Sequence, residues 1–447
     1  MTGGRYGPRV PGRAERGRGP AAVETALIVV GLAVLFAVAP HQVEGDDGTR
    51  LADVEALIHH GQLTRSPYSL VGPLLSSPFL LLGEVVGSPS WWAARFNLVV
   101  VSVALLALAR LARGRVDPRL LRTFVLVLLF ASLLTEGTRT YGPETPTAAL
   151  VALGLLAVVR GVRPWAGWAA VVAGVANTPA ALGALALVAG ARALRTRCLR
   201  SLAPVAAAVL LVLGEAWLRR GSPLTTGYEG NHGVATVMPY SGRPEFSYPF
   251  LLGVASILFS FGRGLVFFAP GLVLWLDGRT RRAVPGRTLA TLLLLFVAGL
   301  VLVYAKWWAW YGGLTWGPRF FIVAAVPASL LLAVRLRAAA DDTAAGRTLT
   351  LAVLALSAWV GLAAALGDLH RLDVCAANGY QLEALCWYAP EFSGLWWPVL
   401  HYPGGARAVA LTAWFAGVFA YLAAPLAAAL ARDLRAAGAR LGHGWRL

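Results

Sequence analysis

The sequence predicts an all-α, polytopic integral membrane protein. Three observations lead there. Of the 447 residues, 57% are hydrophobic and only 14% are charged, whereas a soluble domain carries about 25% charged residues. Mean hydropathy is +0.65, and the apolar residues form long continuous runs rather than an alternating pattern, which selects helices over barrel strands. The arginines that dominate the net charge of +17 cluster at the ends of those runs. That is where topology determinants sit, and it argues against a nucleic-acid surface.

Taken in order, residues 1–20 are rich in Gly, Arg and Pro and read as a disordered basic cytoplasmic tail. Arg5, Arg9, Arg13, Arg16 and Arg18 place the N-terminus inside. The first apolar run, Ala26 to Pro40, ends in Ala37-Val38-Ala39, the small-residue form of a signal-peptide cleavage site. Pro40 follows at once, and the downstream charges are coherent only if this helix stays as an anchor. Residues 41–92 then form the first outer loop. It holds Glu44-Gly45-Asp46-Asp47-Gly48-Thr49-Arg50, an amphipathic run from Leu51 to Leu63, and the apolar segment Tyr68 to Val86. A crossing by that last segment would carry Arg110, Arg113, Arg115 and Arg119 outside. It is therefore expected to be interfacial or re-entrant, broken by Pro73 and Pro78.

The remaining runs alternate. Phe96 to Ala112 goes in, Leu120 to Leu134 out, and Pro146 to Val159 in. Trp165 to Leu194 reads as a hairpin of two short helices about Asn177-Thr178-Pro179. Leu202 to Trp217 goes out. Leu251 to Leu276, interrupted by Phe261-Gly262-Arg263-Gly264, returns. Thr288 to Tyr304, Phe320 to Val334, Leu349 to Leu366 and Ala408 to Leu430 complete the set, followed by a basic tail, 433–447. The expectation is about 12 transmembrane helices in a 21–432 membrane domain, with interfacial helices in the first outer loop and both termini cytoplasmic. Cys198 lies in a basic, inward segment. Cys375 and Cys386 share the last outer loop, where an oxidising exterior permits a disulfide that the sequence does not require.

Polar residues away from the topology arginines gather on the outer side in four groups. The first is Asp46, Asp47 and Arg50, and the second Glu136, Arg139, Tyr141 and Glu144. The third is Ser222 to Tyr228 with His232 and then Arg263. The fourth is Lys306-Trp307-Trp308-Ala309-Trp310-Tyr311-Gly312-Gly313 followed by Gly317-Pro318-Arg319. Adjacent aspartates between glycines could be no more than a solvated turn. The tryptophans fit either an aromatic belt or a sugar platform. Lys306 and Arg319 are placed to clamp a phosphate that leaves with negative charge. Arg263, between glycines in an apolar stretch, needs a buried partner, either a lipid or a substrate phosphate. No metal is expected: His59 and His60 are adjacent and would not face one ion, and no Cys/His or carboxylate set has ligand spacing.

In this order the motifs resemble the GT-C superfamily of polytopic glycosyltransferases, over most of the chain. They are the acidic pair Asp46-Asp47 in the first outer loop, Tyr141-Gly142-Pro143-Glu144 at a helix start, Gly221 to Tyr228, Phe261 to Leu265, and Trp308 to Gly313 with Trp316-Gly317-Pro318-Arg319-Phe320. The Tyr-Gly-Pro-Glu is similar to the Pro-Glu of mannosyltransferase-like members, whereas the family's Asp-Glu is here Asp-Asp. The resemblance implies a bacterial inner-membrane enzyme with its active site on the outer face. A sugar would pass from a polyprenyl-phosphate donor to an envelope glycan, lipid or protein acceptor, with inversion and without a cofactor. Asp46 or Asp47 would be the general base on the acceptor hydroxyl. Arg50, Tyr141, Glu144, Tyr228, His232, Arg263, Lys306, Trp310 and Arg319 would contact substrate. Glu144 fits equally a carboxylate favoured by a helix dipole. Short outer loops and the lack of a large soluble C-terminal domain argue against a protein acceptor site of the oligosaccharyltransferase kind. The competing readings are a lipid or solute transporter or flippase, for which no internal repeat is visible, and an inactive envelope scaffold.

Overall fold

The computed structural model describes residues 18–339, 342–367 and 369–444. Most of the N-terminal tail and the last three residues therefore lie outside the described residues. The described chain is helical, with one isolated parallel bridge between Gln42 and Thr140. Its main helices are α1 (Arg18–Ala37), α2 (Asp46–His60), α3 (Val71–Val86), α4 (Phe96–Ala112), α5 (Pro118–Phe130), α6 (Glu144–Arg160), α7 (Pro164–Asn177) and α8 (Leu182–Thr196). After these come α9 (Ala203–Arg220), α10 (Phe250–Phe259), α11 (Arg287–Tyr304), α12 (Ala325–Arg337), α13 (Ala344–Leu366) and α14 (Gly405–Gly444). The segment read as a C-terminal tail continues α14 as helix through Gly444.

The chain is a multi-pass membrane protein. Among the described residues, seven helical segments are long and apolar enough to cross a bilayer: α1, α11, α13, α14, and the stretches Pro89–Ala112, Leu199–Arg220 and Arg319–Arg337 that contain α4, α9 and α12. Other expected runs form shorter helices: α5 has 13 residues, α6 17, α7 14 and α8 15. Burial in protein explains how a helix as short as α5 is held. From Thr123 to Phe130 every one of its residues is buried, and it sits in the main core against α12, α13 and α1. Its start is set locally, with Asp117 accepting from Arg119 N at 3.0 Å and Pro118 in the first turn.

α6 and α7 pack closely because glycines face each other. A Cβ on Gly154 would lie 2.5 Å from the Gly167 carbonyl, and one on Gly167 2.7 Å from that of Gly154. Small residues of this kind let helix backbones approach in a membrane, where no hydrophobic drive separates helix from lipid. Between α7 and α8 the chain breaks at Thr178 and a short turn, Pro179–Ala181, as the Asn-Thr-Pro reading expects. α3 buries Gly72, Ser76 and Leu80 and presents Leu74, Leu75, Leu81, Leu82, Val85 and Val86 outward. That is the pattern of a helix lying against an apolar phase. The disulfide that the sequence permitted without requiring joins Cys375 and Cys386, with Cα atoms 6.1 Å apart.

Candidate active site

α2 begins earlier than the amphipathic run suggested. It opens at Asp46 rather than Leu51, so both aspartates occupy its first turn, where the helix dipole favours carboxylates. Gly45, at φ +56°, makes the left-handed turn that starts it. Adjacent helical residues point about 100° apart, and the two carboxylates accordingly have different neighbours. Asp46 forms an ion pair with Arg319 Nη2 and accepts from Tyr68 Oη at 2.7 Å. Asp47 is buried, with Oδ1 3.9 Å from Arg50 Nε one turn on. Arg50 lies over the Tyr68 ring, 4.0 Å from its centroid. Glu144, at the start of α6, stands 4.0 Å from Arg319 Nε.

The two carboxylates also differ in acidity. Burial pushes the Asp47 carboxyl up to about 7; Arg319 and Arg50 oppose this, and Glu144 and Asp46 reinforce it. For Asp46 burial acts in the same upward direction. It is outweighed by the charge of Arg319, the hydrogen bonds from Tyr68 and Arg319, and the charge of Arg50, which together hold Asp46 below the usual carboxylate range. Three buried polar atoms here have no hydrogen-bond partner within the protein: Asp47 Oδ1, Arg50 Nε and Arg319 Nε. An unmet buried polar atom costs about 1–3 kcal/mol. Three gathered near one point make it a candidate binding site.

Buried polar ties hold these elements in register. Gln42 N donates to Arg139 O at 3.0 Å, joining the segment after α1 to residues 139–142. Asn97 Nδ2 donates to the carbonyls of Thr140 and Gly142, both at 2.8 Å. Asn177, at the end of α7, accepts from Gly72 N at 2.7 Å and donates to Pro143 O at 2.8 Å, tying α3 to the turn that carries Glu144. A second network holds residues 64–70. Arg219 donates to Asp53 at 3.1 Å and Glu215 at 3.0 Å, Asp53 accepts from Thr64 Oγ1 at 2.6 Å, and Glu215 accepts from Leu70 N at 2.8 Å. Tyr68, which holds Asp46, is thereby fixed in place.

The structure separates the expected site residues into groups. Asp46, Asp47, Arg50, Glu144 and Arg319 converge. Tyr228 joins their margin, its ring 6.2 Å from that of Tyr68. Tyr141 is buried beside them, hydrogen-bonded to Ser76 and packed on Phe96 with ring centroids 6.1 Å apart. Arg263 is placed differently. It is 2% exposed, and its guanidinium donates to the carbonyls of Gly313, Thr315 and Gly317 at 2.7–2.8 Å. Its buried partner is thus the loop leading to Arg319 rather than a phosphate. Trp310, 1% exposed, is enclosed by Tyr248, Tyr311, Trp387 and Tyr388, a core position rather than an open platform. Glu136 and Arg139 pair with each other at 2.9 Å in the interior. Lys306 and His232 are exposed, and neither is among the groups that hold Asp46 or Asp47.

No protein-family model and no curated protein matches this sequence. Among solved structures, the chain is similar to ArnT from Cupriavidus metallidurans bound to undecaprenyl phosphate, with 16% identity, TM-score 0.51, and coverage of 91% of this chain and 77% of that one. The GT-C resemblance holds at the level of fold. ArnT in its apo state matches at 15% identity and TM-score 0.49, covering 92% of this chain and 77% of that one. Arabinosyltransferase EmbB from Mycobacterium smegmatis matches at 17% identity and TM-score 0.46, covering 96% of this chain but 42% of its own length. Two parts of the site were not read from the sequence as functional: Asn177, seen there only as a helix break, and the Asp53–Glu215–Arg219 network, whose members lie up to 166 residues apart.

Proposed function

We propose that this protein is a membrane glycosyltransferase of the GT-C type, transferring a sugar from a polyprenyl-phosphate donor to a cell-envelope acceptor at the outer membrane face. The observation that carries the reading is the convergence of two carboxylates from α2 with Arg50, Glu144 and Arg319. A base and a set of cations around one point are what the chemistry needs. The ArnT structure, whose fold this chain shares, is one bound to undecaprenyl phosphate. An apolar cavity of about 160 Å³ between α4, α5, α6, α11 and α12 supports a lipid-linked donor. Its lining reaches Thr145, next in sequence to Glu144, and extends to Arg160 and Pro285 at the other end.

Asp47 is the general base in this reading. Its carboxyl, near 7, is matched to taking a proton at neutral pH, and its Oδ1, 3.9 Å from Arg50 Nε, has no hydrogen-bond partner. Asp46, bound to Tyr68 and Arg319, positions that arginine. The acceptor hydroxyl oxygen attacks the anomeric carbon as Asp47 takes its proton. The bond from that carbon to the phosphate oxygen breaks with its electron pair, and Arg319 and Arg50 stabilise the departing polyprenyl phosphate. Attack opposite the leaving group inverts the anomeric centre.

The test is transfer from a radiolabelled polyprenyl-phosphate sugar by the purified chain. Changing both aspartates to asparagine is expected to lower the rate by about 10²–10⁴-fold, the usual worth of a general base. A transporter or scaffold would tolerate the change, and unaltered envelope glycans in cells carrying only that variant would end the proposal.

A further inference from the structure

Arg319 leaves the chain at a turn with little freedom. Pro318, at φ −75° and ψ 71°, is the centre of an inverse γ-turn, and Arg319 N closes that turn on Gly317 O at 2.8 Å. The proline ring holds that φ by itself. The stem of Arg319 then passes Gly312, where a Cβ would lie 3.2 Å from its Cγ. The stretch between, residues 313–317, forms no helix, so its buried carbonyls need donors from elsewhere.

Two buried guanidiniums supply them. Arg263, from the turn after α10, donates to Gly313 O and Thr315 O at 2.8 Å and to Gly317 O at 2.7 Å. Arg371, from the segment after α13, donates to Trp316 O at 2.7 Å and to Thr315 O at 3.2 Å. Both side chains are 2% exposed. Gly317 O is a shared acceptor: it receives Arg263, the Arg319 amide, and Thr315 Oγ1 at 3.0 Å. The segments that carry the two arginines are themselves joined. Gly262 N donates to Trp387 O at 2.9 Å, and Trp387 follows Cys386, whose bond to Cys375 closes the loop that Arg371 leads into. A neutral side chain would satisfy one carbonyl; a rigid planar fork that reaches three of them also sets their spacing.

We infer that Arg263 and Arg371 are positioning residues for Arg319, acting through the backbone of residues 313–317 to hold its guanidinium against Asp46 and Glu144. They touch no substrate themselves. The value of Arg319 to a departing phosphate rests on the glycosyltransferase reading, whereas its placement against α2 can be measured without it.

The placement is read from Asp47, whose carboxyl the Arg319 charge holds down against burial. Asp46, Arg50, Glu144 and Tyr141 also face that carboxyl and stay unaltered in every variant. The full chain in lipid nanodiscs would be titrated by infrared difference spectroscopy, the signal being the protonated carboxyl band that disappears in Asp47→Asn. Arg263→Met keeps the stem and removes the fork, and it is expected to raise the midpoint by about 1 pH unit as Arg319 drifts from the carboxylates. Arg371→Met should move it the same way. Arg319→Gln alone should also raise it, and adding Arg263→Met to that background should add nothing. Arg263→Lys keeps the charge without the fork and should fall between; it serves if the methionine variant does not fold. An unmoved midpoint in Arg263→Met overturns the inference, and so does an equal rise with and without Arg319, which would mark a direct effect of the Arg263 charge. In the transfer assay, kcat for Arg263→Met should fall about 10²-fold, the usual effect of a small misplacement, with the acceptor KM unchanged. If the unaltered chain transfers no sugar, the glycosyltransferase reading falls, and the titration still decides the positioning.

Discussion

Asp46 and Asp47 are identical in chemistry and adjacent in sequence, yet their surroundings assign them different work. Asp47 is pushed up to about 7 by burial, so its protonated form is the favoured one below that pH. A base must be deprotonated to act. The rate is therefore expected to rise with pH through an apparent value near 7 and then level off, a profile read from kcat/KM between pH 5 and 9. Asp46 is held low by Arg319 and Tyr68 and stays ionised across that range, so its pairing contributes no step. Asp47→Asn should remove both the rate and the pH step. Asp46→Asn should leave the step in place while raising the KM for the donor, because Arg319 loses its anchor. An unchanged pH profile in Asp47→Asn would move the base elsewhere.

At the scale of elements, the site depends on joints between helices. Asn177 satisfies both Gly72 N and Pro143 O. Asn177→Leu keeps the volume but strands both groups, at about 1–3 kcal/mol each. The midpoint of thermal unfolding in detergent should drop, and transfer should slow because Glu144 loses its register; an unshifted midpoint would show the joint to be idle. How far such features could be read beforehand depended on whether they were local. The run Phe96 to Ala112 is a helix with those bounds because its apolar stretch begins just after Arg95 and ends before the arginines that follow it. The Asn-Thr-Pro break was legible because proline chemistry acts on its neighbours. Asp46, Asp47 and Arg319 stood out as polar groups at apolar boundaries. The sequence could not show that Arg263 spends its charge on backbone carbonyls, or that Trp310 is interior, since both depend on segments about 50 residues away or more. The early start of α2 was hidden by its polar first turn, whose carboxylates are stabilised by the helix they begin.

Over the whole molecule, the site is assembled from segments that span most of the chain, and the loop between α13 and α14 is closed by Cys375 and Cys386, 11 residues apart. Serine at both positions is expected to lower stability by about 2–3 kcal/mol, the usual effect of opening a short covalent loop. Because Trp387, next to Cys386, stacks on Tyr311 at 3.8 Å, the opened loop should also loosen that contact. Thermal unfolding in detergent checks the loss, and a midpoint equal to that of the unaltered chain would show the loop to be held without the bond.

The pairing of Asp46 with Arg319 joins positions 273 residues apart. During synthesis the carboxylate leaves the ribosome long before its cation exists, and every intervening crossing must insert correctly before the two can meet. A chain stalled or misthreaded partway lacks that pair, so under the proposed function an unfinished copy is silent rather than wrongly active.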